Sequence, residues 1–165
     1  MIPKIIHYVW IGNSSMPTEF AQYVSDWKKI MPDYQFMEWN ESNIRELLNE
    51  DRYLSIIQWG YSDRKHLGFL SDLIRYAALV KYGGFYIDTD VEIFKRFDIF
   101  LEYHHVFGYI FDALIGTAVI GAEKGSGIYK DLLDYLVQSF QHEGELTVSN
   151  VYVTQYLMTH VKGFF

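Results

Sequence analysis

The sequence predicts a single α/β domain over residues 1–165. Short apolar runs of strand length alternate with longer segments whose hydrophobic residues recur every three or four positions. The order strand, turn, helix occurs twice at the start of the chain, and a long helix followed at once by a strand comes next. Such alternation is typical of a sheet covered by helices, and a chain of 165 residues that is 50% hydrophobic is long enough to bury one core.

The first two strand-helix units have recognisable boundary residues. Residues 4–10 (KIIHYVW) are predicted to form the first strand, and a helix with Pro17 in its first turn follows and ends before Pro32. Residues 34–39 (YQFMEW) alternate as a second strand, and Asn40 is expected to cap a short helix in the segment ESNIRELLN. The start of the chain therefore alternates between strand and helix.

The central stretch of the chain covers residues 67–94. Its helix carries an apolar stripe made of Leu67, Leu70, Ile74, Ala77, Ala78 and Val80. Gly83 and Gly84 end this helix, because glycine can take the left-handed conformation that closes a helix. Residues 85–87 (FYI) are aromatic and β-branched, which predicts a buried strand that leads directly into two aspartates.

Those aspartates, Asp88 and Asp90, are the candidate metal ligands. A D-x-D triplet alone is a weak signal, but this one follows a buried strand, and ligands bind at the carboxyl ends of strands in open α/β sheets. Two carboxylates this close repel each other unless a cation lies between them, and their oxygens suit a hard ion such as Mg²⁺ or Mn²⁺. An EF-hand loop is excluded because Ile93 stands where that loop needs glycine.

A phosphatase of the haloacid dehalogenase type is the alternative that also places a D-x-D after an apolar strand. That class expects a small threonine-containing turn after the triplet and a later pair of adjacent aspartates. Here Val91 and Glu92 follow the triplet, and no Asp-Asp pair occurs downstream. The sequence therefore disfavours this class of enzyme.

Asp72, Arg75 and Trp10 are the other candidate site residues. Asp72 and Arg75 lie three positions apart on one side of the central helix, either as a solvated ion pair or facing a phosphorylated sugar near Asp88. Trp10 ends the first strand beside a glycine, where it is either part of the core or an aromatic face that stacks on a base or a sugar. His7 is predicted to be a core histidine, since nothing near it has metal-ligand spacing.

The rest of the chain is predicted to continue the alternation. The expected elements are a helix at 52–60, a short strand at 91–94, strands at 105–111 and 114–122, a helix from Ser126 to Gln141 and a last helix at 151–161. Small residues in the strand at 114–122 permit a close approach of neighbouring backbone or of a ligand.

Composition excludes several classes of function. The chain has no cysteine, which rules out disulfides and thiolate metal sites and fits a reducing cytoplasm. A net charge of −7 without any basic run argues against nucleic-acid binding. No apolar segment reaches the length of about 18 residues that spans a membrane, and no cleavage site follows the first apolar run, so a soluble protein without a signal peptide is expected.

Four segments resemble the DXD-containing glycosyltransferases of family 32. They are IPKIIHYVWIG, PDYQFMEWNE, SDLIRYAALVKYGGFYIDTD and IGTAVIGAEKG. That family includes bacterial capsular and surface polysaccharide enzymes and yeast-type mannosyltransferases, and the resemblance extends more distantly to the glucosylating bacterial toxins. It implies a GT-A fold, with a Rossmann-like mixed sheet flanked by helices, and retaining transfer of a hexose from a nucleotide-diphosphate sugar with Mn²⁺ or Mg²⁺.

The resemblance also implies a role for each matched position. The residues concerned are Trp10, Asp72, Arg75, Tyr86, Asp88 and Asp90. The tryptophan matches the aromatic that stacks on the nucleobase, and the Asp-Arg pair of the helix matches the pair that holds the donor sugar and the diphosphate. The tyrosine matches the one ahead of the acidic triplet. In the family pattern the second aspartate of the triplet ligates the metal directly, and the first contacts ribose and metal, often through water.

The partners implied are a donor such as UDP-hexose or GDP-mannose and a saccharide acceptor, with the protein in the cytoplasm or at the inner face of the membrane. The chain departs from the family in one respect. Related enzymes continue with a segment that carries a further aromatic or histidine over the diphosphate, whereas here the last tryptophan is Trp59 and the sequence stops at Phe165. We therefore expect a catalytic domain truncated at its C-terminus, and a non-catalytic module that binds the sugar nucleotide is the alternative function.

Overall fold

The computed structural model describes residues 1–111, 114–142 and 149–161. Its strands are β1 (Ile5–Val9), β2 (Gln35–Trp39), β3 (Gly84–Ile87), β4 (His105–Phe111) and β5 (Leu114–Ala122). Its α-helices are α1 (Thr18–Ile30), α2 (Leu54–Ser62), α3 (Leu67–Tyr82), α4 (Gly127–His142) and α5 (Ser149–His160). Within these residues no helix combines the length and the hydropathy needed to cross a membrane.

The strands form one mixed sheet in the order β2-β1-β3-β5-β4. β1 runs parallel to both β2 and β3, whereas β5 runs antiparallel to both β3 and β4. Ile6 of β1 lies opposite Phe85 of β3, and Ile87 of β3 lies opposite Val119 of β5. Both edges of β3 are therefore paired, and the predicted mixed sheet flanked by helices is confirmed.

Successive side chains of β3 point into two different hydrophobic layers. Phe85 and Ile87 belong to the layer that α1 covers, where they lie in one cluster with Trp27. Tyr86 points the other way, into the larger cluster formed with α2, α3, α4 and α5. This alternation follows from the two-residue period of a strand, and it makes β3 the central strand of the core.

Helix α3 is buried on almost every side. Each residue from Leu73 to Leu79 is buried, because the sheet lies along one side of the helix and α2 and α4 pack against the others. The predicted apolar stripe was therefore too narrow. Leu67 and Val80 of that stripe are only partly buried, whereas Leu73, which lies outside it, is fully buried.

Gly83 and Gly84 end α3 as predicted, and both have a left-handed backbone, with φ of 68° and 103°. A Cβ at Gly83 would lie 2.6 Å from the backbone nitrogen of Lys124, and a Cβ at Gly84 would lie 2.5 Å from the carbonyl oxygen of Ile5. Both glycines are thus required by conformation and by the close approach of neighbouring backbone.

Replacing Gly84 with alanine is expected to lower the free energy of unfolding by about 3 kcal/mol, because strain at positive φ and a backbone clash act together. Gly125→Ala is the matched control, since Gly125 has φ 78° but an added Cβ there would meet no neighbouring group of the described residues within 4 Å. Conformational strain alone is expected to cost that variant about 1 kcal/mol. Urea denaturation measures both, and equal losses in the two variants would contradict the backbone contact at Gly84.

The predicted strand at 91–94 is wrong. This segment has no regular structure, because both edges of β3 are already paired and the chain leaves the sheet directly after the two aspartates. The carbonyl of Val91 instead accepts a hydrogen bond of 3.0 Å from the indole Nε1 of Trp27. A side chain of α1 thus fixes this segment where a strand partner was expected.

The short helix predicted after Asn40 is also wrong. Only a 3₁₀ turn forms there, at Ile44–Glu46. The Asn40 side chain accepts a hydrogen bond of 3.0 Å from the backbone N–H of Ser42, which builds a local turn instead of capping a helix. The later elements were predicted correctly, apart from shifts of one or two residues at their ends.

His7 is a satisfied core histidine, which confirms the prediction. Its side chain is fully buried, and Trp39 Nε1 donates to its Nδ1 at 3.1 Å. Because Nδ1 must accept that bond, the ring is neutral and its Nε2–H donates to the carbonyl oxygen of Gly83 at 2.8 Å. Burial lowers the pKa of His7 to about 4, although the bond to Gly83 raises it.

Acidification is therefore expected to destabilise the fold through His7 at a pH where most carboxylates are still ionised. Between the unfolded pKa of about 6.5 and the folded pKa, the unfolded chain binds a proton at His7 that the folded chain does not. The contribution of His7 to the free energy of unfolding is therefore fully present above this pH range and is lost as pH falls through it. The expected loss between pH 7 and pH 5 is about 2 kcal/mol. Urea denaturation of His7→Gln, which keeps a donor, is expected to lack this slope; an unchanged slope would contradict it.

Candidate functional site

A cleft of about 290 Å³ opens at the carboxyl ends of β1 and β3. One wall is the segment that follows β1 together with α1, the other is the start of α3, and the end of β3 forms the floor. The lining residues are Val9, Trp10, Ile11, Phe20, Leu67, Gly68, Ser71, Tyr86, Asp88, Thr89 and Asp90. The predicted Trp10, Tyr86, Asp88 and Asp90 thus line one cleft.

The acidic triplet forms a tight turn directly after β3. The backbone N–H of Asp88 donates to the carbonyl of Ala118 in β5 at 2.8 Å, and its own carbonyl accepts from the N–H of Val91 at 3.1 Å. In this turn Thr89 is buried, Asp90 is exposed and the Asp88 side chain is 32% exposed. The two carboxylates therefore lie in different environments, and Asp90 is the one that faces solvent.

Asp88 is held by two side chains. Its Oδ1 accepts a hydrogen bond of 2.8 Å from the hydroxyl of Tyr86 and one of 3.1 Å from Nη2 of Arg75. Burial raises the pKa of Asp88, and this effect outweighs the charge of Arg75 and the Tyr86 hydrogen bond, which lower it; the charge of Asp90 raises it further. A carboxylate in this position would be stabilised by additional positive charge.

Arg75 joins three elements of the fold. From α3 its Nη1 donates to the carbonyl of Thr117 in β5 at 2.7 Å, while its Nη2 contacts Asp88 at 3.1 Å and Asp72 at 3.2 Å. Its guanidinium carbon also lies 4.4 Å from the centre of the Tyr86 ring. The side chain is 7% exposed, so Asp72 and Arg75 are not a solvated surface pair.

The charge of Arg75 is maintained by its neighbours. Burial lowers its pKa, but Tyr86, Asp72 and Asp88 raise it by more, so the pKa of Arg75 ends above its ordinary value. Its Nε is buried without a hydrogen-bond partner among the described residues. One guanidinium is thus shared between two carboxylates, which leaves net negative charge on the acidic turn.

Trp10 lines the cleft and is partly exposed. Its Nε1 donates to the carbonyl of Ser14 at 2.7 Å, and its ring meets Phe20 edge-on, with ring centres 6.3 Å apart. The reading of Trp10 as a core residue does not hold, because part of its surface faces the cleft. Phe20 is likewise partly exposed.

Glu41 is a residue that sequence reasoning missed. Its Oε1 accepts hydrogen bonds from the backbone N–H groups of Gly12 and Asn13, the second at 3.2 Å, and so holds the turn that carries Trp10 away from β1. No spacing signal could have found it, because Glu41 comes from the turn after β2 and meets Gly12 only in the folded sheet.

The acidic turn can provide oxygen ligands for a hard cation. Among the described residues, no group of three or more histidine, cysteine, aspartate or glutamate side chains has the geometry of a metal site. Asp88 and Asp90 would supply two carboxylates to a metal ion bound here. A bound ligand and water would have to complete the coordination shell of that ion. The oxygen donors and the net negative charge of the turn fit Mg²⁺ or Mn²⁺.

The sequence of this chain is similar to those of known proteins. A family model described as a glycosyltransferase sugar-binding region containing a DXD motif matches residues 17–107. Inositol phosphoceramide mannosyltransferase 3 of Schizosaccharomyces pombe is 31% identical over 124 residues, which cover 75% of this chain and 34% of that protein. The chain thus spans about a third of the length of that relative.

Two solved structures share the fold. The PaToxG glycosyltransferase superposes with a TM-score of 0.76 at 20% identity. The superposed region covers 98% of this chain and 70% of the PaToxG chain. The UDP-bound glycosyltransferase domain of the YGT toxin superposes with a TM-score of 0.68 at 13% identity. The superposed region covers 96% of this chain and 67% of the toxin domain. At these identities the likeness concerns the fold.

Proposed function

The chain belongs to the DXD-containing glycosyltransferases and has their GT-A fold, and from this premise we propose that it transfers a hexose from a nucleoside-diphosphate sugar to a saccharide acceptor. The observation that carries the proposal is the cluster of Arg75, Asp88 and Tyr86, in which Asp88 and Tyr86 line the cleft together with Trp10 and Arg75 lies buried behind them. In it a buried cation and an acidic turn lie beside an aromatic surface, which are the groups that a diphosphate, a metal ion and a nucleobase require.

Asp88 and Asp90 would hold the metal ion, Mn²⁺ or Mg²⁺. When bound, the ion supplies positive charge that stabilises the diphosphate as the anomeric C–O bond breaks. The bond from Tyr86 fixes the Asp88 carboxylate before any ligand arrives. Asp90, which is exposed, is free to meet an incoming ion without first leaving a buried partner.

Arg75 would stabilise the leaving diphosphate with a fixed charge. Because Thr117 and two carboxylates hold the guanidinium, little reorganisation is needed when negative charge develops beside it. Asp72, on the same helix face, would accept hydrogen bonds from hydroxyl groups of the donor sugar. Trp10 would stack on the nucleobase, with Phe20 supporting its ring.

Retention of the anomeric configuration and a place in capsular or surface polysaccharide synthesis form part of the proposal on the strength of the resemblance. The same holds for UDP-hexose or GDP-mannose as donor, and for a position in the cytoplasm or at the inner face of the membrane. The relative from Schizosaccharomyces pombe is a mannosyltransferase, and the glycosyltransferase domain of the YGT toxin has been solved with UDP bound. Both donor classes therefore belong in the first test.

The test is a calorimetric titration of UDP-glucose, UDP-galactose, UDP-N-acetylglucosamine and GDP-mannose, each with and without Mn²⁺. We expect one donor to bind, and to do so only with the metal. Incubation of that donor with saccharide acceptors, followed by NMR of the product's anomeric proton, then tests transfer and retention. Metal-dependent binding without transfer or hydrolysis would favour the non-catalytic module, and no binding by the folded protein would overturn the proposal.

A further inference from the structure

Gly68 lies in the first turn of α3 with no packing reason to be glycine. No heavy atom of the described residues lies within 4 Å of a Cβ built at this position, and its φ is not positive. By contrast, a Cβ on Gly60 in α2 would lie 2.9 Å from Leu70, so packing explains that glycine. Glycine in a helix is less favourable than alanine, so the fold itself gains nothing from Gly68.

The position of Gly68 in the cleft explains why this residue is glycine, which packing does not explain. Gly68, from α3, lines the same cleft as Trp10, which comes from the segment after β1. It lies one helical turn before Ser71 and Asp72 on the same face of α3, and Ser71 Oγ lies 3.5 Å from the hydroxyl of Tyr86 on the cleft floor. A ligand whose diphosphate reaches the acidic turn would therefore pass Gly68 with its nucleoside.

Leu67 closes the space next to this position. Its Cδ1 lies 2.7 Å from where a Cβ of Gly12 would be, so the first turn of α3 and the turn after β1 touch there. Beside that contact Gly68 leaves the backbone of α3 uncovered. Leu67 and Trp10 line the same cleft as Gly68, and an apolar and an aromatic surface suit the flat ring of a nucleobase.

We propose that Gly68 is a specificity-determining residue that sets the width of the cleft for the nucleoside of the donor. This inference rests on the proposed function. The backbone of α3 approaches the base and ribose directly, and any side chain at position 68 competes with the nucleotide for the same space. Substitution at this position therefore changes stability and nucleotide affinity in opposite directions.

The test compares Gly68→Ala and Gly68→Val with Gly127→Ala. Gly127 is likewise an exposed glycine in the first turn of a helix, α4. Within the described part of the chain no neighbouring group lies within 4 Å of an added Cβ, and Gly127 is not among the residues that line the cleft. Each alanine variant is expected to raise the thermal midpoint by about 1–4 °C. Gly68→Ala is expected to weaken binding of UDP or GDP with Mn²⁺ by about tenfold and Gly68→Val by more, whereas Gly127→Ala leaves affinity unchanged.

Titration of pyrophosphate with Mn²⁺ distinguishes a loss of room for the nucleoside from damage to the diphosphate and metal site. Because pyrophosphate has no nucleoside, its affinity is expected to be the same in wild type and Gly68→Ala. Nucleotide affinity that is unchanged in Gly68→Ala, or an equal loss for nucleotide and pyrophosphate, would overturn the inference while the proposed function stands. Folded wild-type protein that binds neither UDP nor GDP would overturn the proposed function and this inference with it.

Discussion

Replacing Asp90 with asparagine is expected to remove metal-dependent donor binding and to lower turnover by about 10²–10³-fold without unfolding the protein. Asp90 is exposed at the end of the acidic turn, so its loss disturbs little packing. Asparagine keeps the size of the side chain and removes the charge that a divalent cation needs. The measurements are calorimetric titration of the donor with Mn²⁺ and initial rates at saturating metal.

Glu92→Gln is the matched control for Asp90→Asn. Glu92 is another exposed carboxylate, two positions further along the chain, and its change removes the same unit of charge from the same surface. We expect donor affinity to be unchanged in this variant. Equal losses in the two variants would mean that general surface charge, not a ligand at position 90, attracts the metal and the donor.

Replacing Arg75 with methionine is expected to have the largest effect on the fold. Removing the guanidinium leaves Asp72 and Asp88 without their shared cation, and breaking a buried ion pair from one side costs about 3–5 kcal/mol. Arg75→Lys keeps the charge, but an ammonium cannot reproduce the planar set of bonds to Thr117 and both carboxylates. For the lysine variant we expect the fold to persist and turnover to fall by about 10²-fold.

A double-mutant cycle measures how much of the stability lost in Arg75→Met comes from the contact between Arg75 and Asp88. Asp88→Asn combined with Arg75→Met removes both sides of one ion pair, so the double variant is expected to be more stable than the sum of the two single losses predicts. Urea denaturation of the four proteins gives the coupling free energy. Strict additivity would contradict the direct contact between these two side chains.

The order of elements around α3 could be predicted from the sequence because local chemistry decides it. Two adjacent glycines with positive φ end the helix and begin β3, and each is required by a backbone approach that no other residue permits. The two aspartates follow in a turn fixed by β5. The aspartates lie near Trp10 because β1 and β3 are parallel neighbours, so that their carboxyl ends meet at the same edge of the sheet. The alternation of strands and helices in the sequence indicates this parallel pairing.

Other features could not be predicted because they depend on neighbours distant in sequence. Periodicity does not show how many elements pack against a helix, so the stripe assigned to α3 omitted buried positions such as Leu73. Residues 91–94 have the composition of a strand, but both edges of β3, the strand that they follow, are already paired. Phe20 has the spacing of a core residue, yet it lies beside Trp10 in the cleft.

The contacts of Arg75 also link ligand binding to the stability of the whole domain. Its partners lie at positions 72, 88 and 117, and the cleft wall that carries Trp10 comes from the first strand. No short fragment contains these groups together, so a donor that binds at this site would bind the folded chain and would have little affinity for the unfolded one. By mass action, donor at a hundred times its dissociation constant would stabilise the domain by about 2.7 kcal/mol. Substrate supply inside a cell would then set how long the protein survives proteolysis, as well as how fast it works.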